Sequence, residues 1–323
     1  MISPADDSLG HAPQSSAPEW FDRFWMNAHS LDGAVAVAQG IGVYANTAVV
    51  DGFAIVVRGR EQRIVRASRE GGDPSSLRIG PIRAEIVEPL SRWRFRLDPA
   101  NDAGIAYDIE FRAGFEPIDC GRMRDWSHFV QAGSAAGRLR IDGEEIAIDP
   151  ASWRAGRDRS WGLRPQGKGR FNWVCAQLPS LHLWYLTVED TSGQQRFAQG
   201  WLRHGAGHGG AVEELTRIVR RPVFEADGSF QTAEVDVETG GGTQSTIEFR
   251  RLESTAFMRG GLYGGWRGFR QGQPRGPLLV EAERWNLGDP ATLLQVAGLN
   301  DHVCAVASDG ETGIGIYELN HGR

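Results

Sequence analysis

The stretch Ile105–Arg112, IAYDIEFR, shows the pattern that decides the fold. Apolar and charged residues alternate along it, so every second side chain shares one face of an extended strand. The same alternation occurs in Arg92–Leu97, RWRFRL, and in Glu234–Glu238, EVDVE. An alternation of this kind predicts β-strands with one buried face.

Asp-Gly pairs, which favour tight hairpin turns, separate many of these runs, and they begin at Asp51, Asp142, Asp227 and Asp309. Strands of ordinary length then number roughly two dozen, more than one small closed barrel holds. The sequence therefore predicts an all-β protein with two antiparallel barrels or sandwiches in tandem. Residues 211–220 fit either a short helix or a strand, and the pattern leaves that choice open.

Glycines and prolines interrupt the alternation at residues 150–169, which predicts the connection between the two β units there. We expect an N-terminal barrel over residues 19–155 and a C-terminal barrel over residues 156–323. Residues 1–18 are rich in Ser, Pro and Asp and lack the basic and apolar regions of a signal peptide. We interpret them as a flexible leader and expect a cytoplasmic protein.

Composition narrows the functional class. The chain has 323 residues, with 35 Lys+Arg against 41 Asp+Glu and a formal net charge of −6, so nucleic acid is not an expected partner. The sequence contains no run of eighteen apolar residues, so it predicts no membrane-spanning helix. Cys120, Cys175 and Cys304 are widely spaced, which argues against a disulfide framework or zinc site and predicts buried thiols. We expect no cofactor or metal, and the oligomeric state stays open.

Arg157–Leu163, RDRSWGL, places an acid and an indole among basic residues between strand-like runs. Beside the apolar wall of Trp161, Asp158 would have a raised pKa and could protonate an alkene as a general acid. The indole face would then stabilise a carbocation. The alternative is an ion pair of Asp158 with Arg157 or Arg159, which would lower the carboxyl pKa. Both interpretations stay open at this point.

The piece Asp158–Gly162 resembles the G-x-x-D-H-x-W-G signature of the carotenoid 1,2-hydratase and AttH-like group, whose members are tandem lipocalin-like barrels. Matching elements extend from Trp20 through Gln131–Gly133 to Gly313–Glu318. Arg159 stands where that family has His, so a proton-transfer role of the histidine would fall to another residue here. The resemblance implies a deep apolar pocket for an isoprenoid-like or polycyclic molecule. It also implies, as in some relatives, acid-catalysed hydration or polyene cyclisation.

The expected catalytic residues are Asp158 and His128. His128 follows an aromatic and polar stretch and is either a second proton-transfer group or a core histidine. Asn27 and His29, in the aromatic segment that begins at Trp20, either face a ligand or close a barrel. Arg164 is a further possible ion-pair partner of Asp158. The expected substrate-binding residues are Trp25, Asn27, His29, Trp161, Arg164, Trp173 and Tyr185.

Other motifs carry weaker signals. His204 and His208 have the spacing of a metal-binding helical turn, but the glycines between them predict a loop. Gly260–Gly268 lacks the Gly-Lys-Ser/Thr of a phosphate loop, and no Gly-x-Ser-x-Gly elbow occurs. The main prediction is a cofactor-free hydration, dehydration, isomerisation or cyclisation of a hydrophobic small molecule. A non-catalytic lipocalin-like carrier is the alternative, and glycan binding or cleavage through Glu281 and Glu283 ranks third.

Overall fold

The structure, a computed structural model, describes residues 2–8, 10–71, 76–123, 125–163, 169–205 and 210–320. Over these residues it is almost entirely β-structure, which confirms the all-β prediction. The first twelve strands are β1 (Phe21–Ser30), β2 (Val35–Tyr44), β3 (Val49–Arg58), β4 (Glu61–Glu70), β5 (Arg78–Ile79), β6 (Ile82–Glu88), β7 (Arg92–Leu97), β8 (Ile105–Ala113), β9 (Ile118–Met123), β10 (Trp126–Ile141), β11 (Glu144–Ile148) and β12 (Trp153–Gly162).

Nine further strands follow in the second half of the described chain. They are β13 (Arg170–Gln177), β14 (Leu181–Glu189), β15 (Gln195–His204), β16 (Val212–Phe224), β17 (Phe230–Thr239), β18 (Gln244–Phe257), β19 (Leu279–Asn286), β20 (Leu299–Ser308) and β21 (Glu311–Asn320). One helix, α1 (Pro290–Val296), lies between β19 and β20 and is capped by the Asp289 side chain. The open choice over residues 211–220 is settled in favour of a strand, β16.

The strands form two antiparallel units. In the described chain the first unit is a 13-stranded sheet in the order β19-β4-β3-β2-β1-β12-β10-β8-β7-β6-β5, with β9 and β11 also paired to β10. We call this sheet the first module. The second unit is a closed barrel of β13-β14-β15-β16-β17-β18-β20-β21, called the barrel below. Two tandem β units are therefore present, as the alternation and the turn signals predict.

Sheet pairing can be compared with the expected boundary between residues 155 and 156. That boundary falls inside β12, which pairs with β1 and β10 of the first module through Gly162. The first barrel strand begins at Arg170. The chain also returns to the first module once, because β19 pairs with β4 along its whole length. Neither module is thus one uninterrupted stretch of sequence.

The segment expected to be a flexible leader makes contacts with the first module. Asp7 is fully buried and accepts hydrogen bonds from Arg157, Leu90 and Trp93 of the first module. Residues near the start of the chain therefore belong to the folded core. Composition did not reveal this, because a buried acid is recognisable only once its arginine partner is known.

Alternation along each strand separates the hydrophobic cores. On β1, Phe24 and Met26 contribute to the core of the first module, whereas Trp25 contributes to a cluster shared with the barrel. On β13, Val174 lies in the barrel interior and Trp173 in the shared cluster. Opposite faces of the same strand thus serve different cores, and the shared cluster forms the interface between the two modules.

Candidate functional site

Strand β12 contains most of the Arg157–Leu163 motif, and successive side chains of this strand point to opposite faces of the sheet. Arg157, Arg159 and Trp161 face the core of the first module, as shown by their contacts with Trp93, Phe24 and His11. Asp158 and Ser160 therefore face the barrel. This corrects the expectation that Trp161 forms a wall beside Asp158, because residues three apart on a strand point to opposite faces. The motif is also part of a central strand and not a polar break.

Two buried ion pairs neutralise the arginines on the first face. Arg157 donates from Nη1 to Asp7 Oδ1 at 2.7 Å and from Nη2 to Asp7 Oδ2 at 2.9 Å. Arg159 Nη2 donates to Asp22 Oδ2 at 3.0 Å. Both arginines therefore have a buried carboxylate partner on the face of β12 opposite to Asp158. Arg164 lies outside the described residues.

On the second face, strand register brings three carboxyl groups around a pair of indoles. Asp158 lies directly opposite Trp25, and the rings of Trp25 and Trp173 meet edge to face across the interface with their centroids 5.4 Å apart. Trp173 lies opposite Glu318, and Glu318 lies opposite Asp301. Directly opposed residues of an antiparallel pair point to the same face. We call Asp158, Asp301 and Glu318 the acid cluster.

Asp301 is a buried carboxyl group with a raised pKa. Its side chain is 3% exposed. Burial, helped by the negative charge of Asp158 and opposed by a hydrogen bond with Glu318, raises the pKa of Asp301 to about 7. A hydrogen bond between two carboxyl groups needs a proton on one of them, so Asp301 and Glu318 share a proton near neutral pH. Such a pair can donate a proton and recover it.

A buried arginine lies on the same face as Asp158. Arg23 donates a hydrogen bond to Gln271, and its guanidinium carbon lies 5.1 Å from the centre of the Tyr263 ring. Burial opposes its charge, but nearby tyrosines and the carboxylates of Asp51 and Asp158 together raise the pKa of Arg23 above its usual value. The acid cluster thus has a permanent cation at one side.

His128 joins Asp158 on this face. It lies directly opposite Ser160 on β12, two residue pairs from Asp158, and is 3% exposed. Its ring centroid lies 5.2 Å from that of Trp126 and 5.6 Å from that of Trp184. Diagonal neighbours at this spacing are within reach of long side chains. The two expected catalytic residues therefore lie side by side.

Several buried polar atoms at this interface have no hydrogen-bond partner among the described residues. They include Ser160 Oγ, Trp173 Nε1 and Trp184 Nε1. A buried donor without a partner costs roughly 1–3 kcal/mol, so its retention calls for a reason such as a ligand contact. Trp173 and Trp184 belong to the apolar cluster shared by the two modules.

Asn27 and His29 lie on the same face of β1 as Trp25, farther along the strand. The Asn27 side-chain oxygen accepts a hydrogen bond from the Gly156 backbone at 3.1 Å, which fixes the pairing of β1 with β12. Burial, with a smaller effect of Arg154, lowers the pKa of His29 to about 3. A histidine with that pKa is neutral at pH 7 and cannot serve there as a general acid.

Tyr185 lies away from the acid cluster. It points into the barrel interior, where its hydroxyl donates to Asn172 Oδ1 at 2.7 Å. Burial raises the pKa of the Tyr185 phenol well above its usual value. Because Asn172 in turn donates to the Glu318 backbone oxygen at 2.7 Å, Tyr185 supports the strand of the acid cluster from the other side of the barrel wall.

A cysteine and a histidine also meet at the interface. Cys175 Sγ lies 3.4 Å from His182 Nε2, and both residues are buried. Burial, reinforced by the charge of Asp158, raises the pKa of the Cys175 thiol to about 12. Burial and the charge of Arg203 lower the pKa of His182 to about 3. The pair is therefore a neutral thiol and a neutral imidazole, which is not an activated nucleophile. Cys120 and Cys304 are likewise buried and free.

The weaker motifs have structural roles where they are described. His204 Nε2 lies 2.8 Å from Glu213 Oε1, and His208 falls outside the described residues. Arg275 donates to Glu281 at 3.0 Å, and Glu283 accepts hydrogen bonds from Arg66, Trp266 and Trp285. Although burial opposes ionisation, these contacts lower the pKa of Glu283, which is the opposite of the shift that the general acid of a glycosidase needs.

Among the described residues, no group of three or more His, Cys, Asp or Glu side chains has the arrangement of a metal site. No helix in the described part of the chain is long and apolar enough to cross a membrane. Two surface pockets of about 290 and 570 Å³ lie away from the acid cluster and have several charged residues in their walls. Neither has the aromatic lining found between the modules.

Four residues that the sequence suggested for a site lie at the interface between the modules: Asp158, His128, Trp25 and Trp173. The sequence analysis did not select Asp301 or Glu318. One signal for Glu318 was present, because it ends the Gly313–Glu318 stretch already used for the family resemblance. Asp301 stands as an acid in an otherwise apolar strand, LNDHVCAVAS. Asp301 could have been flagged as a buried charge, but its pairing with Glu318 depends on the register of β20 with β21.

Comparison with known proteins gives a family and a fold. Residues 7–322 match the family described as "Family of unknown function (DUF8625)", and the chain belongs to it. No curated protein sequence matches the chain. The description of this family names no activity. The AttH-like resemblance is supported at the level of the fold, by similar solved structures.

Solved structures resemble the chain over nearly its whole length. A candidate AttH from Nitrosomonas europaea has a TM-score of 0.61 at 13% identity and covers 94% of this chain and 93% of its own. Kievitone hydratase from Nectria haematococca has a TM-score of 0.58 at 14% identity, with coverages of 99% and 92%. CghA has a TM-score of 0.57 at 12% identity, with coverages of 97% and 93%. At these identities the likeness establishes the fold of the tandem β modules.

Proposed function

We propose that this protein catalyses a cofactor-free acid–base reaction on an apolar small molecule, of isoprenoid-like or polycyclic type, held between its two modules. Hydration or dehydration of a carbon–carbon double bond is the reaction that the acid cluster fits best. Isomerisation and cyclisation begin with the same protonation. The name of one similar structure, a hydratase, is consistent with this chemistry.

The observation that carries the proposal is the raised pKa of Asp301 in a pair with Glu318, beside Trp25 and Trp173. An acid with a pKa of about 7 is half protonated at physiological pH, where a free aspartic acid is almost wholly ionised. Perturbed carboxyl groups of this kind gather at catalytic sites. Indole faces stabilise a neighbouring cation, so the same site suits a carbocation intermediate.

The reaction can be followed bond by bond. The shared proton leaves the Asp301–Glu318 pair for one alkene carbon, whose π electrons form the new C–H bond. A cation develops on the neighbouring carbon, and the oxygen of a water molecule bonds to it. The Asp158 carboxylate accepts the surplus proton of that water, and His128 beside it offers a route back to the pair. Atoms and charge balance without an oxidant or a metal.

The test begins with the purified full chain and uses a prenylated phenol and an acyclic polyene as probes. The reaction is run in ¹⁸O-labelled water, and separately in heavy water, with mass spectrometry of the products. Hydration adds one labelled oxygen, whereas isomerisation or cyclisation adds deuterium at carbon alone. A probe that binds and gains neither label contradicts the enzymatic proposal and favours a carrier.

Variants then tie the activity to the acid cluster. Asp158→Asn and Asp301→Asn are expected to keep probe affinity and to lower turnover by about 10²–10⁴-fold. The matched control is Asp22→Asn, a buried carboxylate on β1 that faces the other core. Turnover per folded molecule should be unchanged in that variant. Equal losses in all three variants would show that the effect comes from folding and not from proton transfer.

A further inference from the structure

The other face of β12 contains a fully formed carboxylate site, with Asp7 as its occupant. Asp7 is 0% exposed and accepts four hydrogen bonds. Two come from Arg157, at 2.7 and 2.9 Å, one from the Leu90 backbone at 2.6 Å and one from Trp93 Nε1 at 3.0 Å. We call these donors of Arg157, Leu90 and Trp93 the Arg157 cradle. Four donors on one carboxylate are a strong and geometrically specific arrangement.

The first module holds the cradle in place without help from Asp7. Gln131 accepts from Arg157 Nε at 3.0 Å and from Nη2 at 2.8 Å. Gln131 in turn donates to the backbone oxygens of Leu90 at 2.7 Å and Phe115 at 2.9 Å. Aromatic rings lie 5.1–5.6 Å from the guanidinium carbon, and they belong to Trp93, Phe111 and Phe129. The receptor is thus part of the β-sheet, whereas its occupant comes from a segment outside every strand.

A second contact lies farther along the same strand. The His11 ring stacks on Trp161 with centroids 4.1 Å apart and planes within 2°. His11 Nδ1 also lies 2.8 Å from Arg159 Nη2. Because Arg157 and Trp161 are four residues apart on one strand face, about 13 Å separates the carboxylate contact from the ring contact. The segment therefore presents a carboxylate at one end and a flat ring at the other.

We propose that the Arg157 cradle and the Trp161 face form a binding site for an elongated organic monocarboxylate with a flat apolar end. The chain fills this site itself with Asp7 and His11, and such a molecule competes with them. The site lies on the face of β12 opposite the acid cluster and does not depend on the proposed reaction. Its selectivity follows from Arg157, which binds a carboxylate through two parallel hydrogen bonds.

The probe for the experiment is 6-(2-naphthyl)hexanoate, with its methyl ester as the uncharged control. Calorimetry compares the wild-type chain with the full-length double variant Asp7→Ala/His11→Ala. Removing the internal competitor should tighten binding at least about tenfold, because a tethered group competes at high effective concentration. The ester should not bind. Adding Arg157→Gln to the double variant should abolish binding. No binding by a folded double variant, or equal binding after Arg157→Gln, would overturn the proposal.

A second measurement uses the wild-type chain, so the test does not depend on the folding of a variant. Hydrogen exchange over residues 2–11 is compared with and without a saturating concentration of the probe. Displacement of Asp7 and His11 should make these amides exchange faster while the strands of the first module stay protected. Unchanged exchange at saturation would show that the probe binds elsewhere, which also contradicts the proposal.

Discussion

The two faces of β12 differ in how acidic and basic side chains are balanced. Toward the first module, Arg157 and Arg159 each have a buried carboxylate partner, Asp7 and Asp22. Toward the barrel, Asp158 joins two further carboxyl groups, and burial raises the pKa of one of them, Asp301, to about 7. A balanced set of charges stabilises a fold, whereas a surplus of acid raises pKa values and creates proton donors. The two faces of one strand thus differ in the balance between acidic and basic groups.

Removing Arg157 should give the largest effect on stability. Arg157→Gln leaves the Asp7 carboxylate buried without its cation, and we expect a loss of about 3–5 kcal/mol in the free energy of unfolding. Urea unfolding followed by circular dichroism measures it. In the Asp7→Asn/Arg157→Gln double variant most of this loss should disappear, because no unpaired charge remains. Additive losses would mean that the two residues are not coupled.

On the other face, the sign of the effect should depend on pH. The pKa of Asp301 is raised on folding, so its contribution to stability is present at low pH and is lost as the pH rises through about 7. Asp301→Asn should therefore match the wild type near pH 4 and exceed it at about pH 8, by at most about 4 kcal/mol. Unfolding free energies at several pH values test this. An offset that is the same at every pH would contradict the shared proton.

The strands and the tandem architecture could be predicted from sequence because period-two alternation is a local property. Arg92–Leu97 became β7 with the expected faces. The faces of β12 could also have been assigned locally, since Asp158 and Trp161 are an odd number of residues apart. Partners could not be predicted in this way. That Asp7 meets Arg157, or that Asp301 meets Glu318, depends on contacts set by the whole fold.

Two glycines on the interface face can show where it is tightly packed. A Cβ on Gly40 would lie 2.3 Å from the buried Phe53 ring, so Gly40→Ala should cost about 1–3 kcal/mol of stability. A Cβ on Gly156, two residues before Asp158 on the same face of β12, would lie 3.4 Å from its nearest neighbour, the Asn27 side chain. Gly156→Ala should change stability by less than about 1 kcal/mol. Thermal and urea unfolding of both variants measures the two losses of stability. Equal losses would contradict the expected difference in packing.

The smallest expected effect concerns the His11 stack on Trp161. His11→Ala removes a parallel ring contact that is worth about 0.5–1.5 kcal/mol, and the free energy of unfolding should fall by that amount. Ser8→Ala is the matched control in the same segment, because Ser8 is exposed and bonds locally to Ala5. Its effect should stay within about 0.5 kcal/mol. A loss for His11→Ala no larger than for Ser8→Ala would show that the stack adds nothing.

The position of β19 has a consequence for how the chain is made. Strand β4 ends at Glu70, yet its partner β19 begins at Leu279, so roughly 200 residues separate two neighbours in one sheet. At about 5–20 residues per second, a ribosome needs some 10–40 s to deliver that partner. During this time the β4 edge is a template for pairing with other chains. A fragment that contains the first twelve strands alone would lack β19, and the β4 edge of its sheet would stay unpaired.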